Sequence, residues 1–155
     1  MGQILSWGLL IGPWLILFFL NKTKMKHFLS VVFFTLIITT IYFQAAQVWG
    51  WWTITDNVVF LTVVPSFAYG LSPVVTLLVF YFTYPNPWLF FGSNIVMDAF
   101  QALVVSPFLF EKAGLYRMEN MSNFGLFLLL LSILPIIYIY QRLYDKARSK
   151  EDIPH

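Results

Sequence analysis

The chain has 155 residues, of which 59% are hydrophobic, 20% are aromatic and only 10% are charged. A soluble domain carries roughly 25% charged residues, so this composition excludes an ordinary water-soluble fold and favours a membrane protein. The net charge of +2 is too small to indicate a nucleic-acid partner, and the absence of cysteine excludes disulfides and thiolate metal sites. His27 and His155 cannot form a zinc site by themselves. We therefore expect no metal and no other cofactor.

Five apolar segments follow one another along the chain, each with the roughly 17–25 residues that a helix needs to cross a ~30 Å hydrocarbon core. They predict an all-α polytopic membrane protein with five transmembrane helices, at about 4–20, 28–48, 58–82, 88–110 and 124–140. The sequence YPNP at 84–87 predicts a tight turn, because proline cannot continue a helix. Residues 1–141 are expected to form one transmembrane domain, and residues 142–155 a charged cytoplasmic tail that extends the fifth helix.

The basic residues predict the orientation in the membrane, since lysine and arginine are enriched in cytoplasmic loops. They are concentrated in the loop after the first segment and in the C-terminal tail: Lys22, Lys24, Lys26, Arg142, Lys146, Arg148 and Lys150. With five helices and the N-terminus outside, these seven of the nine basic residues are cytoplasmic. We therefore expect an external N-terminus and a cytoplasmic C-terminus, with the lipid bilayer as the obligatory partner.

A polar stripe occurs in the fourth segment, where Asn94, Asp98 and Gln101 are spaced i, i+4 and i+7. At 100° per residue these side chains fall within an arc of about 60° on one helix face. Asp98 lies about ten residues from the segment's start, close to the bilayer midplane, where an ionisable residue costs about 2.5–3.5 kcal/mol to insert. The stripe is therefore expected to face other helices or a wet cavity.

The third segment has a matching polar face, which contains Ser66, Tyr69 and Thr76. Because the turn at 84–87 is short, the third and fourth helices are expected to pack as an antiparallel hairpin. Reflection about the turn then brings Thr76 near Asn94 and Tyr69 near Gln101. The two faces predict a polar seam between helices three and four, and six residues form the candidate ligand site: Asp98, Asn94, Gln101, Tyr69, Ser66 and Thr76.

Two functions are compatible with such a seam. The first is a non-enzymatic binding or permeation module, or a subunit of one, that takes a small polar or lipid-like ligand. The second is a structural or accessory membrane protein that packs against a partner, with Asp98 as an interhelical hydrogen-bond clip. Both leave room for a homo-oligomer or a partner membrane protein. An enzyme is not expected, because no histidine or lysine at membrane depth accompanies Asp98 as a base.

Three further polar residues lie near the predicted outer ends of helices two and four. Gln44 and Gln47 precede the aromatic cluster WGWW at 49–52, and Glu111 ends the fourth segment. They form a candidate outer vestibule above Gln101, and the alternative is that they are solvated helix ends.

The arrangement of VVPSFAYGLSPVV (63–75), YFTYPNPW (81–88) and SPFLFEKAGLYR (106–117) resembles a family of small multi-helix membrane proteins from spore-forming Firmicutes such as bacilli and clostridia. The similarity covers roughly the C-terminal two-thirds of the chain and depends on apolar and proline-rich features. It implies a multi-pass protein of a bacterial cytoplasmic membrane. The family has no assigned activity, so the resemblance carries no functional residues to this sequence.

Overall fold

The computed structural model describes residues 2–55, 61 and 64–151, which form an all-helical bundle with one small hairpin. Four of its helical segments are long and apolar enough to span a membrane. The elements, in chain order, are α1 (Gly2–Ile11), a 3₁₀ helix (Gly12–Phe19), α2 (Lys22–Val48), β1 (Trp52–Ile54), α3 (Ser66–Thr83), α4 (Pro87–Phe100), a π-helix that continues α4 (Gln101–Glu111), β2 (Tyr116–Met118) and α5 (Asn123–Glu151).

The first apolar segment is not the single helix that we predicted over 4–20. A ten-residue α-helix ends at Ile11, and the chain continues as an eight-residue 3₁₀ helix with Pro13 in its first turn. Pro13 lacks an N–H group, so it cannot donate an α-helical hydrogen bond to the carbonyl oxygen of Leu9. The proline therefore accounts for the change of helix type.

Two other predicted starts differ from the structure. The lysine-rich loop expected at 21–27 is helical from Lys22, because the Asn21 side chain accepts hydrogen bonds from the backbone N–H groups of Thr23 and Lys24 at 3.0 and 3.3 Å. Helix α3 begins only at Ser66, since Pro65 has extended backbone. The predicted start near residue 58 lies outside the described residues. At the other end of the chain, α5 continues through the charged tail as far as Glu151.

Helix α1 packs directly on α3 at Gly70. A Cβ atom added at Gly70 would lie 1.9 Å from the Leu9 carbonyl oxygen and 2.5 Å from the Leu10 Cα. The Leu9 carbonyl, which receives no α-helical hydrogen bond from Pro13, therefore lies directly over Gly70. Only glycine, which has no side chain, leaves room for this contact. This contact determines which face of α3 is left for the other helices.

The two connections that we predicted as loops pair with each other as a short two-stranded antiparallel sheet, which we call the hairpin although its strands are far apart in sequence. Trp52 is opposite Met118, and Ile54 is opposite Tyr116. Aromatic and β-branched residues favour extended strands, which is why these segments pair once the helices bring them together. We call this end of the bundle the hairpin end. The opposite end, which carries the start of α2, the α3–α4 turn and the end of α5, we call the basic end.

An aromatic cluster fills the bundle near the basic end. The ring of Phe80 lies 4.7 Å from that of Phe90, which lies 4.9 Å from that of Tyr138, centroid to centroid. Phe80 and Phe90 are fully buried. Such contacts join α3, α4 and α5 by apolar burial and ring packing.

A polar cluster lies beside these rings, and Asp145 is at its centre. The carboxylate of Asp145 accepts hydrogen bonds from Tyr84 and from the Gln141 side-chain nitrogen, the latter at 2.8 Å, and pairs with His27 Nε2 at 3.0 Å. Gln141 is fully buried. Burial, followed by the hydrogen bond and the charge of Asp145, raises the pKa of the Tyr84 hydroxyl well above its usual value. The cluster joins α2, the α3–α4 turn and α5.

Candidate functional site

A cavity of about 110 Å³ lies inside the bundle, between α2, α3, α4 and α5. Its lining residues on α5 extend from Leu126 to Ile137. At 1.5 Å per residue this is a length of about 16 Å along the helix axis. The space is therefore narrow and elongated, and it is large enough for several water molecules or one small organic molecule.

The predicted stripe of the fourth helix lines this cavity. Asn94, Asp98 and Gln101 all contribute to its wall, as expected from their spacing on one helix face. The Asn94 side-chain nitrogen donates to the backbone carbonyl of Phe90 at 2.7 Å. The Oδ2 atom of Asp98 is buried and has no hydrogen-bond partner among the described residues. A buried acceptor without a donor is costly, so this oxygen favours a group that brings a hydrogen-bond donor into the cavity.

The structure brings only one of the three predicted α3 residues to the cavity. Thr76 lines it, whereas Ser66 and Tyr69 do not. The Tyr69 hydroxyl instead lies 3.4 Å from the Thr40 hydroxyl of α2, and Ser66 is buried elsewhere. The prediction that Ser66 and Tyr69 belong to the same site as Asp98 was therefore wrong. The physical reason is Gly70, since the face of α3 that contains Ser66 and Gly70 is occupied by α1.

The cavity face of α3 and the predicted face have only Thr76 in common. The cavity face carries Ser72 and Thr76, one turn apart. Three polar residues of α2, which sequence reasoning had not selected, also line the cavity: Thr35, Thr39 and Tyr42. Their spacing of i, i+4 and i+7 is the same as that of Asn94, Asp98 and Gln101. This periodicity was the signal that could have identified them.

The other surfaces of the cavity are apolar or aromatic. All the α5 residues in the wall are aliphatic: Leu126, Leu129, Leu130, Ile133, Leu134 and Ile137. At the hairpin end, Trp52 and Tyr116 line the cavity, and each is more than nine-tenths buried. The two paired strands therefore contribute one aromatic side chain each to the cavity wall.

Tyr116 also hydrogen-bonds to Ser106 of the π-helix. Burial raises the pKa of Tyr116 to about 12, the negative charge of Glu111 acts in the same direction, and the hydrogen bond with Ser106 opposes them. A tyrosine whose pKa is raised on folding contributes stability that is present below the unfolded value near 10 and is lost as the pH rises toward 12.

We therefore expect Tyr116→Phe to reduce the alkaline loss of stability. Between about pH 10 and 12 the unfolding free energy of the wild type should fall more steeply than that of the variant, by up to about 1.4 kcal/mol per pH unit. Detergent-induced unfolding, followed by circular dichroism at several pH values, measures this slope. Parallel curves for the two proteins would contradict the assignment.

The candidate vestibule residues do not line the cavity. Gln44 is exposed, and Gln47 and Glu111 are half-buried near the hairpin end. The Oε1 atom of Glu111 is buried without a hydrogen-bond partner in the part of the chain that the structure describes. These three residues are therefore separate from the wall formed by Asn94, Asp98 and Gln101.

The cavity wall combines polar side chains with apolar ones. It offers one carboxylate, two amides, several hydroxyl groups and an apolar wall, and within residues 2–55, 61 and 64–151 no group of three or more metal-ligating side chains is present. Comparisons of the chain with protein-family models, with curated proteins and with solved structures found no match.

Proposed function

We propose that this protein is a non-enzymatic binding or permeation module of a bacterial cytoplasmic membrane, with its site in the cavity beside Asp98. The observation that carries the proposal is a buried carboxylate oxygen without a partner, in a residue that lines an internal cavity. A polar group at membrane depth is retained against a cost of about 2.5–3.5 kcal/mol. A ligand that supplies the missing hydrogen-bond donor offsets this cost.

The alternative is an accessory protein in which Asp98 is an interhelical clip. A clip requires a hydrogen-bond partner on another helix, and Asp98 Oδ2 has none among the described residues. The polar cluster around Asp145 shows what such a connection looks like in this chain, since it joins three parts of the bundle through named contacts. The geometry therefore favours binding at Asp98.

Five spans with an external N-terminus and a cytoplasmic C-terminus remain our proposed topology. The first segment supports a fifth span by its length, because ten α-helical residues and eight 3₁₀ residues extend about 31 Å at rises of 1.5 and 2.0 Å. The basic end then faces the cytoplasm and the hairpin end faces outward. With five helices and no visible repeat, a homo-oligomer or a partner membrane protein would complete any transport pathway.

Native mass spectrometry of the protein released from its own membrane tests the proposed function. We expect the wild type to carry a small-molecule adduct that is lost in Asp98→Asn and in Ser72→Leu, which places apolar bulk in the cavity. Glu119→Gln makes the same carboxyl-to-amide change at an exposed position and should retain the adduct. Wild type and Asp98→Asn that are equally bare in several mild detergents would refute binding, and a partner protein on both would support the accessory role.

A further inference from the structure

The cavity wall carries an acidic side chain. Asp98 is its one ionisable carboxyl group, and no lysine, arginine or histidine of the described chain lines the wall. The ion pairs found in the described residues, His27–Asp145 and Arg117–Glu119, lie near the two ends of the bundle. A charged carboxylate at membrane depth requires a counter-charge, and none of the described residues supplies one at the site.

Two polar side chains that line the cavity together with Asp98 have acceptor capacity left over. The Asn94 side-chain nitrogen donates a hydrogen bond to the Phe90 carbonyl. The amide oxygen of Asn94 remains an unused acceptor. The Thr35 hydroxyl donates to the Val31 carbonyl at 2.8 Å, so its oxygen can still accept. Together with Asp98 Oδ2, these atoms favour a ligand that brings donors to the cavity.

Aromatic side chains dominate the hairpin end of the same cavity. Phe43, Trp52, Phe67 and Tyr116 line it, and the rings form a connected set, with Phe43 5.3 Å from Trp52 and Phe67 6.1 Å from Tyr116 between centroids. Ring faces attract cations, and aromatic enclosures are a recurrent means of binding ammonium groups. The aromatic end and the carboxylate thus both favour a positively charged ligand.

A divalent metal ion fits this site poorly. A Ca²⁺ or Mg²⁺ ion requires about six or more oxygen ligands, usually with several carboxylates, and Asp98 is the one carboxylate of the wall. The opposite wall on α5 is entirely aliphatic and offers no ligand to a metal ion. It does offer apolar contact to a carbon skeleton. The volume of about 110 Å³ is of the order that holds one small organic molecule.

We propose that the cavity binds a small organic ammonium cation, with its nitrogen at Asp98 and its apolar part between the α5 wall and the aromatic end. This inference rests on the proposed function and specifies the class of ligand. An ammonium group carries up to three N–H donors on one centre, which matches the unused acceptors of Asp98, Asn94 and Thr35. It also provides the counter-charge that the described residues lack.

Three probes of equal chain length test the sign of the charge: n-butylammonium, 1-butanol and butyrate. Their binding to the purified protein in lipid nanodiscs is measured by saturation-transfer NMR, with Ser72→Leu as the background for partition into lipid. We expect n-butylammonium to bind the wild type at least about tenfold more tightly than 1-butanol, with butyrate weakest, because a hydrogen bond to a charged group is worth about that factor or more. The preference should vanish in Asp98→Asn and persist in Glu119→Gln.

The outcomes separate this inference from the function on which it rests. If 1-butanol binds the wild type as tightly as n-butylammonium, or if the preference persists in Asp98→Asn, the cavity is a binding site but not one for cations. If none of the three probes binds the wild type more than Ser72→Leu, the proposed function fails as well. The comparison of probes on the wild type requires no variant to fold.

Discussion

Gly70→Ala is expected to destabilise the protein by about 3 kcal/mol, because the added methyl group would meet backbone rather than a side chain that can rotate away. The nearest atoms to the new Cβ would be the Leu9 carbonyl oxygen at 1.9 Å and the Leu10 Cα at 2.5 Å. Contacts this short force α1 away from α3. Detergent-induced unfolding, followed by circular dichroism, measures the loss.

A matched glycine provides the control. Gly92, on α4, has nothing within 4 Å of an added Cβ. Gly92→Ala should therefore be neutral or stabilise the helix by up to about 1 kcal/mol, the difference in helix propensity. Equal stability of Gly70→Ala and Gly92→Ala would show that α1 does not lie against α3 at this glycine.

Asp145→Ala should cost about 2–4 kcal/mol of stability, since it removes three polar partners from one cluster. His27 and Tyr84 lose their contacts, and Gln141 is left fully buried without the acceptor for its nitrogen. The partial exposure of the His27–Asp145 pair limits the loss from the ion pair itself. Unfolding in detergent again measures the effect.

The second ion pair of the described chain is the control for this prediction. Arg117 and Glu119 are 2.9 Å apart, and both are on the exposed surface of the hairpin. Exposed pairs contribute about 0–1 kcal/mol, so Glu119→Ala should change stability by no more than that. If Asp145→Ala is as mild as Glu119→Ala, the cluster at the basic end does not hold the helices together.

Local periodicity predicted the parts of the site that lie on a single helix. Asn94, Asp98 and Gln101 share a face because helical geometry places them there, whatever their neighbours are. The choice of facing helix required information that is not local. One glycine allowed α1 to occupy the face of α3 that contains Ser66, so a different face, with Ser72 and Thr76, meets the cavity.

Long-range pairing was also beyond sequence reasoning. Trp52 and Tyr116 lie on two connections that appear unrelated in sequence. These connections form paired strands because the helices bring their ends together. Similarly, His27 and Asp145 are near opposite ends of the chain, where polar residues are usually solvated helix ends. Only the packing of α2 against α5 shows that they share a polar cluster.

The most direct test of the central claim is whether a small polar molecule reaches the cavity beside Asp98. The chain has no cysteine, so Thr76→Cys introduces a single thiol into the cavity wall. Ethylammonium methanethiosulfonate should label this thiol at least about tenfold faster than the thiol of Ser93→Cys, with labelling detected by intact mass. Ser93 lies on the outer face of α4, where apolar surroundings keep a thiol protonated and unreactive. Equal labelling of the two thiols, or none at Thr76→Cys, would contradict an accessible binding site in this bundle.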